Sequence, residues 1–100
     1  MTLTAIITRK GEPRTFEQRG TNGLTRTCTA IEVELESGTN RFIAEAYDDV
    51  CNNIQQHALT GDAAICELAF STREQQTREG RTFIAQRVVV TALRTFTKVF

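Results

Sequence analysis

The chain has 100 residues, 40% of them apolar, and 12 Lys plus Arg balance 12 Asp plus Glu to a formal net charge of zero. That length suits one domain, residues 1–100, with a single modest core, and the apolar share with one proline excludes a disordered chain. No apolar run approaches the ~20 residues of a membrane-spanning helix, and neutrality excludes a general attraction to polyanions.

The pattern predicts a first strand over residues 3–8, ending at the turn Lys10-Gly11-Glu12-Pro13. Only Leu3, Ala5, Ile6 and Ile7 precede Arg9-Lys10, which is too short for a secretory signal, so a cytoplasmic location is expected. Apolar residues then thin out to Phe16 and Leu24, set among Arg14, Arg19 and Arg26. This stretch reads as a long loop turning at Asn22-Gly23. Residues 27–36 form the clearest strand, with Ile31, Val33 and Leu35 on one face and Glu32, Glu34 and Glu36 on the other. Ser37-Gly38-Thr39-Asn40 connects it tightly to a third strand over residues 41–47.

A helix of about three turns is predicted over residues 48–59. Asp48 or Asp49 can cap it, because a short carboxylate accepts the free amide hydrogens of a first turn. Val50, Cys51, Ile54 and Ala58 share its apolar face, and Gly61 is a stop signal. Residues 64–70 and 83–96 read as strands, separated by a polar tip over residues 71–82 with Arg73, Arg78, Gly80 and Arg81. The tip is expected to be mobile. The order β-β-β-α-β-β makes an all-β protein whose helix plugs one end of a five-stranded barrel, which is the plan of an OB-fold.

Chemistry-bearing residues are few. Three widely spaced cysteines, Cys28, Cys51 and Cys66, with one histidine cannot supply a zinc site in the usual paired spacing. Reduced, buried thiols are expected, and His57 reads as a surface or packing residue. No Ser/His/Asp, Cys/His or phosphate-loop constellation is present, so neither catalysis nor a cofactor or metal is expected.

Gly11-Glu12-Pro13-Arg14, the segment Phe42-Ile43-Ala44-Glu45-Ala46-Tyr47, Thr60-Gly61-Asp62 leading to Glu67, and the hairpin from Thr72-Arg73 to Gly80 together resemble the bacterial single-stranded DNA-binding protein family and its primosomal replication-restart relatives. The resemblance covers roughly residues 3–96. It departs from the family pattern at Leu68, where glycine is usual, at Gln75-Gln76, where an aromatic is usual, and in the absence of tryptophan. No acidic tail follows in this sequence, which closes on Thr97-Lys98-Val99-Phe100; unless the sequence is cut short there, the family's usual means of recruiting partner enzymes is expected to be missing. The resemblance implies single-stranded DNA as partner, a role in replication, recombination or restart, and a homo-oligomer, dimer or tetramer. Residues 2–5 offer a strand edge for such association.

Binding of a single strand needs cations along the phosphates and flat side chains under the bases. Arg14, Arg19 and Arg26 fall before the second strand, Arg73, Arg78 and Arg81 in the hairpin, and Arg41 at the start of the third strand. Tyr47 is the leading stacking candidate, followed by Phe16 and Phe83, while Phe42, Phe70 and Phe96 are assigned to the core. The glutamate row stands about 7 Å apart residue to residue and opposes phosphate binding unless Arg41 and other cations neutralise it. A second reading therefore stays open: an OB-fold protein–protein assembly module with weak or no nucleic-acid binding.

Overall fold

The structure, a computed structural model, describes residues 1–96 apart from the side chain of Arg73; Thr97, Lys98, Val99 and Phe100 lie outside the described residues. Its elements are β1 (Thr2–Lys10), β2 (Arg14–Arg19), β3 (Thr25–Ser37), β4 (Asn40–Tyr47), α1 (Asp48–His57), β5 (Ala63–Gln76) and β6 (Thr82–Thr95). The strands follow the order β1-β5-β6-β4-β3-β2, and an additional β1–β3 pairing closes five of them into a barrel. The pairings are antiparallel except that of β4 with β6, which run parallel at Glu45 and Val89.

Alternation sorts the side chains. Ala5 and Ile7 of β1, Ile31, Val33 and Leu35 of β3, Ala44 and Ala46 of β4, Ala64, Cys66 and Leu68 of β5, and Val90 of β6 are buried together. Small barrels have interiors just wide enough to be filled by side chains, and α1 completes this one with Cys51, Ile54 and Ala58. The expected apolar face of the helix is thus the buried one. Cys28, Cys51 and Cys66 are free and buried, and His57 is exposed.

Two irregularities bend the wall. The register shifts between Ile7 and Arg9 opposite β3, and again between Glu67 and Leu68 opposite β6. Each bulge leaves one threonine without a partner across the ladder, Thr8 in the first and Thr91 in the second. Thr8 Oγ1 donates to the Glu34 carbonyl at 3.2 Å, and Thr91 Oγ1 donates to the Glu67 carbonyl at 3.1 Å. A hydroxyl at a bulge can bond backbone that the ladder leaves open, while the bulge supplies the curvature closure requires.

Four expectations change. The stretch from Arg14 to Arg26 is not a loop but a hairpin, with β2 paired to β3 from Arg14↔Ala30 to Arg19↔Thr25. Asn22-Gly23 does make the turn: Gly23 has φ 80°, and Asn22 Oδ1 accepts the Leu24 amide hydrogen at 3.2 Å. The strand escaped the hydrophobic pattern because it is an edge strand whose only part-buried side chain is Phe16.

Second, neither Asp48 nor Asp49 caps the helix. Tyr47 holds the N-cap position in extended geometry with no side-chain cap, and the Asp48 carboxylate turns back to β3 instead, accepting the Thr29 amide hydrogen at 3.2 Å. Asp48 adopts φ 50°, a left-handed conformation that aspartate tolerates better than most residues. The helix also ends at His57 rather than two residues later; Gly61, at φ 97°, turns the chain back so that its amide bonds the Ile7 carbonyl at 2.7 Å.

Third, the polar tip is mostly ladder. β5 and β6 pair without interruption from Leu68↔Val90 to Gln76↔Thr82, leaving only the turn between them, with Gly80 at φ 82°. Phe83, Ile84 and the valines of β6 supply strand propensity to both partners, and a ribbon exposed on both faces tolerates polar residues on the other strand. Fourth, Phe70 and Phe96 are 60% and 48% exposed rather than core. Phe70 lies on the part of β5 that runs past the barrel wall, and Phe96 follows the last strand. Phe42 is part-buried against the core, as expected.

Candidate functional site

The register places one set of side chains on a single outer face. Arg14 and Phe16 of β2 stand opposite Ala30 and Cys28 of β3, and Ala30 stands opposite Tyr47 of β4. The same parity puts Arg41, Ile43 and Glu45 of β4 beside Glu36, Glu34 and Glu32 of β3. Glu45 pairs with Val89, which brings Arg87, two residues earlier on β6, to this face as well. Paired residues in neighbouring strands share a side of the sheet, so this is one surface.

Its centre is a pocket of about 310 Å³ lined by Phe16, Gln18, Arg26, Cys28, Tyr47, Asp48 and Arg87. Phe16 and Tyr47 form its aromatic wall, with ring centres 6.3 Å apart and planes at 81°. Both are part-buried. Arg87 places its guanidinium 5.6 Å from the centre of the Tyr47 ring, a cation–π distance.

Carboxylates hold these cations in place. Glu45 Oε2 accepts from Arg14 at 3.3 Å and from Arg87 at 3.2 Å, and it also accepts the Tyr47 hydroxyl hydrogen. Arg87 donates in turn to the Tyr47 oxygen. Burial by itself raises the Glu45 carboxyl, but the bonds from Tyr47 and Arg87 and the charges of Arg87 and Arg14 outweigh it, leaving the group below its ordinary range. Burial and the Glu45 bond push the Tyr47 hydroxyl up. At neutral pH the site is therefore an ionised carboxylate under a neutral phenol and two guanidiniums. Arg26 donates to Asp48 at 2.9 Å, completing the rim.

Two of the three glutamates in the row, Glu34 and Glu36, are neutralised in the same way. Arg41 donates to Glu36 at 2.7 Å and lies 3.7 Å from Glu34, and Arg9 reaches Glu34 at 3.7 Å. These exposed pairs contribute little to stability, because water and salt screen them. Their consequence is electrostatic: the row is not a bare wall of negative charge.

The candidate residues therefore divide. Arg14, Arg26 and Tyr47 come together. Arg41 lies on the same face but six residues from Tyr47 along β4, about 20 Å at ~3.3 Å per residue. Arg19 is one residue out of phase with Gln18 and falls on the opposite side of β2, lining a separate surface hollow with Leu24 and Thr25. Arg78 and Arg81 are exposed at the far end of the β5–β6 ribbon, and the Arg73 backbone pairs with Ala85 partway along it. Because β4 and β6 run parallel, the ribbon turn and Arg41 point to one end of the sheet, away from Arg14 and Arg26. Phe83, a weaker stacking candidate, is 44% exposed and shares the parity of Arg87.

Arg87 and Glu45 were absent from the sequence-based set. A signal existed for Arg87: it is the one charged residue between Phe83 and Thr91, beside Val88-Val89-Val90, where a solitary cation in an apolar strand needs a partner.

Comparison with protein-family models finds no match, and comparison with curated proteins finds none. Solved structures do match. The second OB-fold domain of replication protein A from Methanococcus maripaludis superposes with a TM-score of 0.63 at 14% identity, covering 99% of this chain and 85% of that one. The mitochondrial single-stranded DNA-binding protein Rim1 from S. cerevisiae gives a TM-score of 0.57 at 10% identity, covering 99% and 97%. The fold is an OB-fold. At these identities the likeness carries the architecture alone, and it agrees with the barrel-plus-helix plan expected from the order of elements. An OB-fold commonly binds its ligand on the outer face of the strands corresponding to β3 and β4 here, which is the face that carries Tyr47 and its arginines.

Proposed function

We propose that this chain is an OB-fold protein that binds single-stranded DNA without catalysing a reaction on it. The observation that carries this reading is the convergence of Arg14, Arg26 and Arg87 around the part-buried Phe16–Tyr47 pair on one strand face. Cations beside aromatic rings are what a single strand requires, since phosphates are neutralised and bases find a π surface. Arg41 extends the cationic track along β4, and Arg78 and Arg81, with Arg73 in sequence, provide a second arm. One aromatic pair instead of several platforms implies modest affinity, each stacked base contributing ~1–3 kcal/mol. A role in replication, recombination or restart follows from the sequence resemblance and belongs to the same proposal.

The test is fluorescence anisotropy with labelled polythymidine over a range of salt. Binding that weakens with a slope of ~−0.7 per phosphate contacted supports the proposal. No binding at low salt sinks it.

The assembly-module reading is favoured by a different observation. Met1 and Phe70, 66% and 60% exposed, line an apolar hollow of about 310 Å³ with Leu3, Phe42 and Val88, on the face turned away from Tyr47. The β1–β3 ladder also begins only at Ile6, which leaves one edge of residues 2–5 without a strand among the described residues. Association into a dimer or tetramer through this side is compatible with DNA binding on the other. Light scattering on the free protein measures it, and a monomer at every concentration removes the second reading.

A further inference from the structure

We infer that the pocket walled by Phe16 and Tyr47 takes one nucleobase and reads a carbonyl on its edge, with Gln18 and Arg26 as specificity-determining residues. This rests on the single-stranded DNA reading above and gives it a preference among bases.

Each acceptor around the pocket already takes one donor. Asp48 Oδ1 holds the Thr29 amide hydrogen at 3.2 Å, and Asp48 Oδ2 holds Arg26 at 2.9 Å. The Tyr47 oxygen gives its hydrogen to Glu45 and receives one from Arg87. Gln18 Oε1 accepts the Cys28 thiol hydrogen at 3.6 Å. The donors are in surplus. A guanidinium carries five N–H bonds, and Arg26 uses one nitrogen on Asp48 while Arg87 uses one on Glu45 and Tyr47. The Gln18 amide nitrogen has no protein acceptor among the described residues, and Gln18 is exposed at the rim.

A pocket with aromatic walls and spare donors fits a flat ligand that brings oxygen acceptors. At about 310 Å³ it sits at the small end of the ~300–1,000 Å³ usual for small-ligand sites, which suits one base rather than two. Thymine, cytosine, guanine and hypoxanthine present carbonyl oxygens on their edges. Adenine presents an amino group where hypoxanthine has a carbonyl, and an amino group facing a ring of donors leaves both unpaired. Cys28, 2% exposed, closes the floor with a weakly polar sulfur and adds no competing acceptor of strength.

The experiment compares oligodeoxyinosine with oligodeoxyadenosine of equal length, since their bases share a purine shape and differ where the carbonyl stands. Anisotropy titrations at one salt concentration are run for the wild type and for Gln18→Leu, which removes the amide without changing charge. We expect the wild type to favour inosine by roughly two- to tenfold, the worth of one or two hydrogen bonds. Gln18→Leu should shrink that ratio by weakening inosine binding more than adenosine binding, and it should leave the salt slope unchanged because it removes no charge. Arg26→Lys, which keeps the charge but not the planar fork, should also shrink it. A ratio of one in the wild type, or a ratio untouched by both variants, overturns the base-reading pocket and leaves strand binding standing. Failure of the wild type to bind either strand, or polythymidine, overturns the DNA reading itself. Ratios within one variant cancel differences in folding yield, and the stacking of the free strands cancels between variants.

Discussion

The Arg87 guanidinium lies 5.6 Å from the centre of the Tyr47 ring and donates to the oxygen of the same side chain. These residues belong to β6 and β4, whose parallel ladder registers a single pair, Glu45 and Val89. The seam that closes the barrel on this side is therefore braced as much by the Arg87–Glu45–Tyr47 bonds as by backbone hydrogen bonds. The proposed binding face and the weakest seam of the barrel coincide.

Replacing Arg87 with glutamine should lower the salt slope of polythymidine binding by ~0.7, the contribution of one phosphate contact. It should also destabilise the fold by more than an ordinary surface change, beyond ~0.5 kcal/mol, because it removes a brace. Anisotropy and denaturant titrations measure the two effects separately. A stability change within surface noise would show that the seam does not depend on Arg87.

Tyr47→Ala should cost ~1–3 kcal/mol of strand binding with little change in salt slope, since a π face carries no net charge. Tyr47→Phe separates ring from hydroxyl. It should retain most of the affinity while losing the bonds to Glu45 and Arg87, and thermal melts run alongside will register that loss. If alanine and phenylalanine weaken binding equally, the ring is not a platform.

The acid limb of stability should depend on Glu45. Its folded pKa lies below the ordinary carboxylate value, so its contribution is present above about pH 4.3 and fades as pH falls through the folded pKa. Glu45→Gln should remove that part of the acid dependence, flattening stability against pH below about pH 4. Tyr47 works in the opposite direction. Its raised pKa means stability is lost as pH climbs from about 10 through the folded value, and Tyr47→Phe should flatten this alkaline limb. Denaturation midpoints across pH, taken for both variants, give the result.

Arg78→Gln with Arg81→Gln should leave the melting temperature nearly unchanged, because both side chains are exposed at the ribbon turn. If the ribbon contacts the strand, the salt slope falls by ~0.7 for each contact removed. An unchanged slope confines the interface to the barrel face. In contrast, Ile54→Ala, at a fully buried position of α1, should cost ~2–5 kcal/mol without a direct effect on the slope.

Much of the barrel was legible in the sequence because its burial is periodic. Ile31, Val33 and Leu35 alternate with glutamates, and the structure buries the first set and exposes or half-buries the second. β2 was hidden because an edge strand whose one part-buried side chain is Phe16 has no apolar period to read. The length of the β5–β6 ladder was hidden for a related reason: hydrogen bonding between two solvent-exposed strands leaves no mark on hydropathy. The sequence pointed to Tyr47, Arg14 and Arg26, which the fold brings onto one face, but to neither Arg87 nor Glu45 beside them. Their partnership depends on a parallel contact between strands more than forty residues apart, and local spacing carries no information about it.

The closure of the barrel also sets a condition on its birth. β1 is made before the rest of the barrel, yet residues 2–6 pair with β5, and β6 must join both β5 and β4 before the ring is complete. Until the final strand emerges, the early hairpins present open edges and half of a core. Topologies dominated by distant pairings fold slowly for this reason, since long loops must be closed before their contacts form. The barrel thus keeps open edges until β6 is made, and removing β6 would leave β4 and β5 without the strand that joins them.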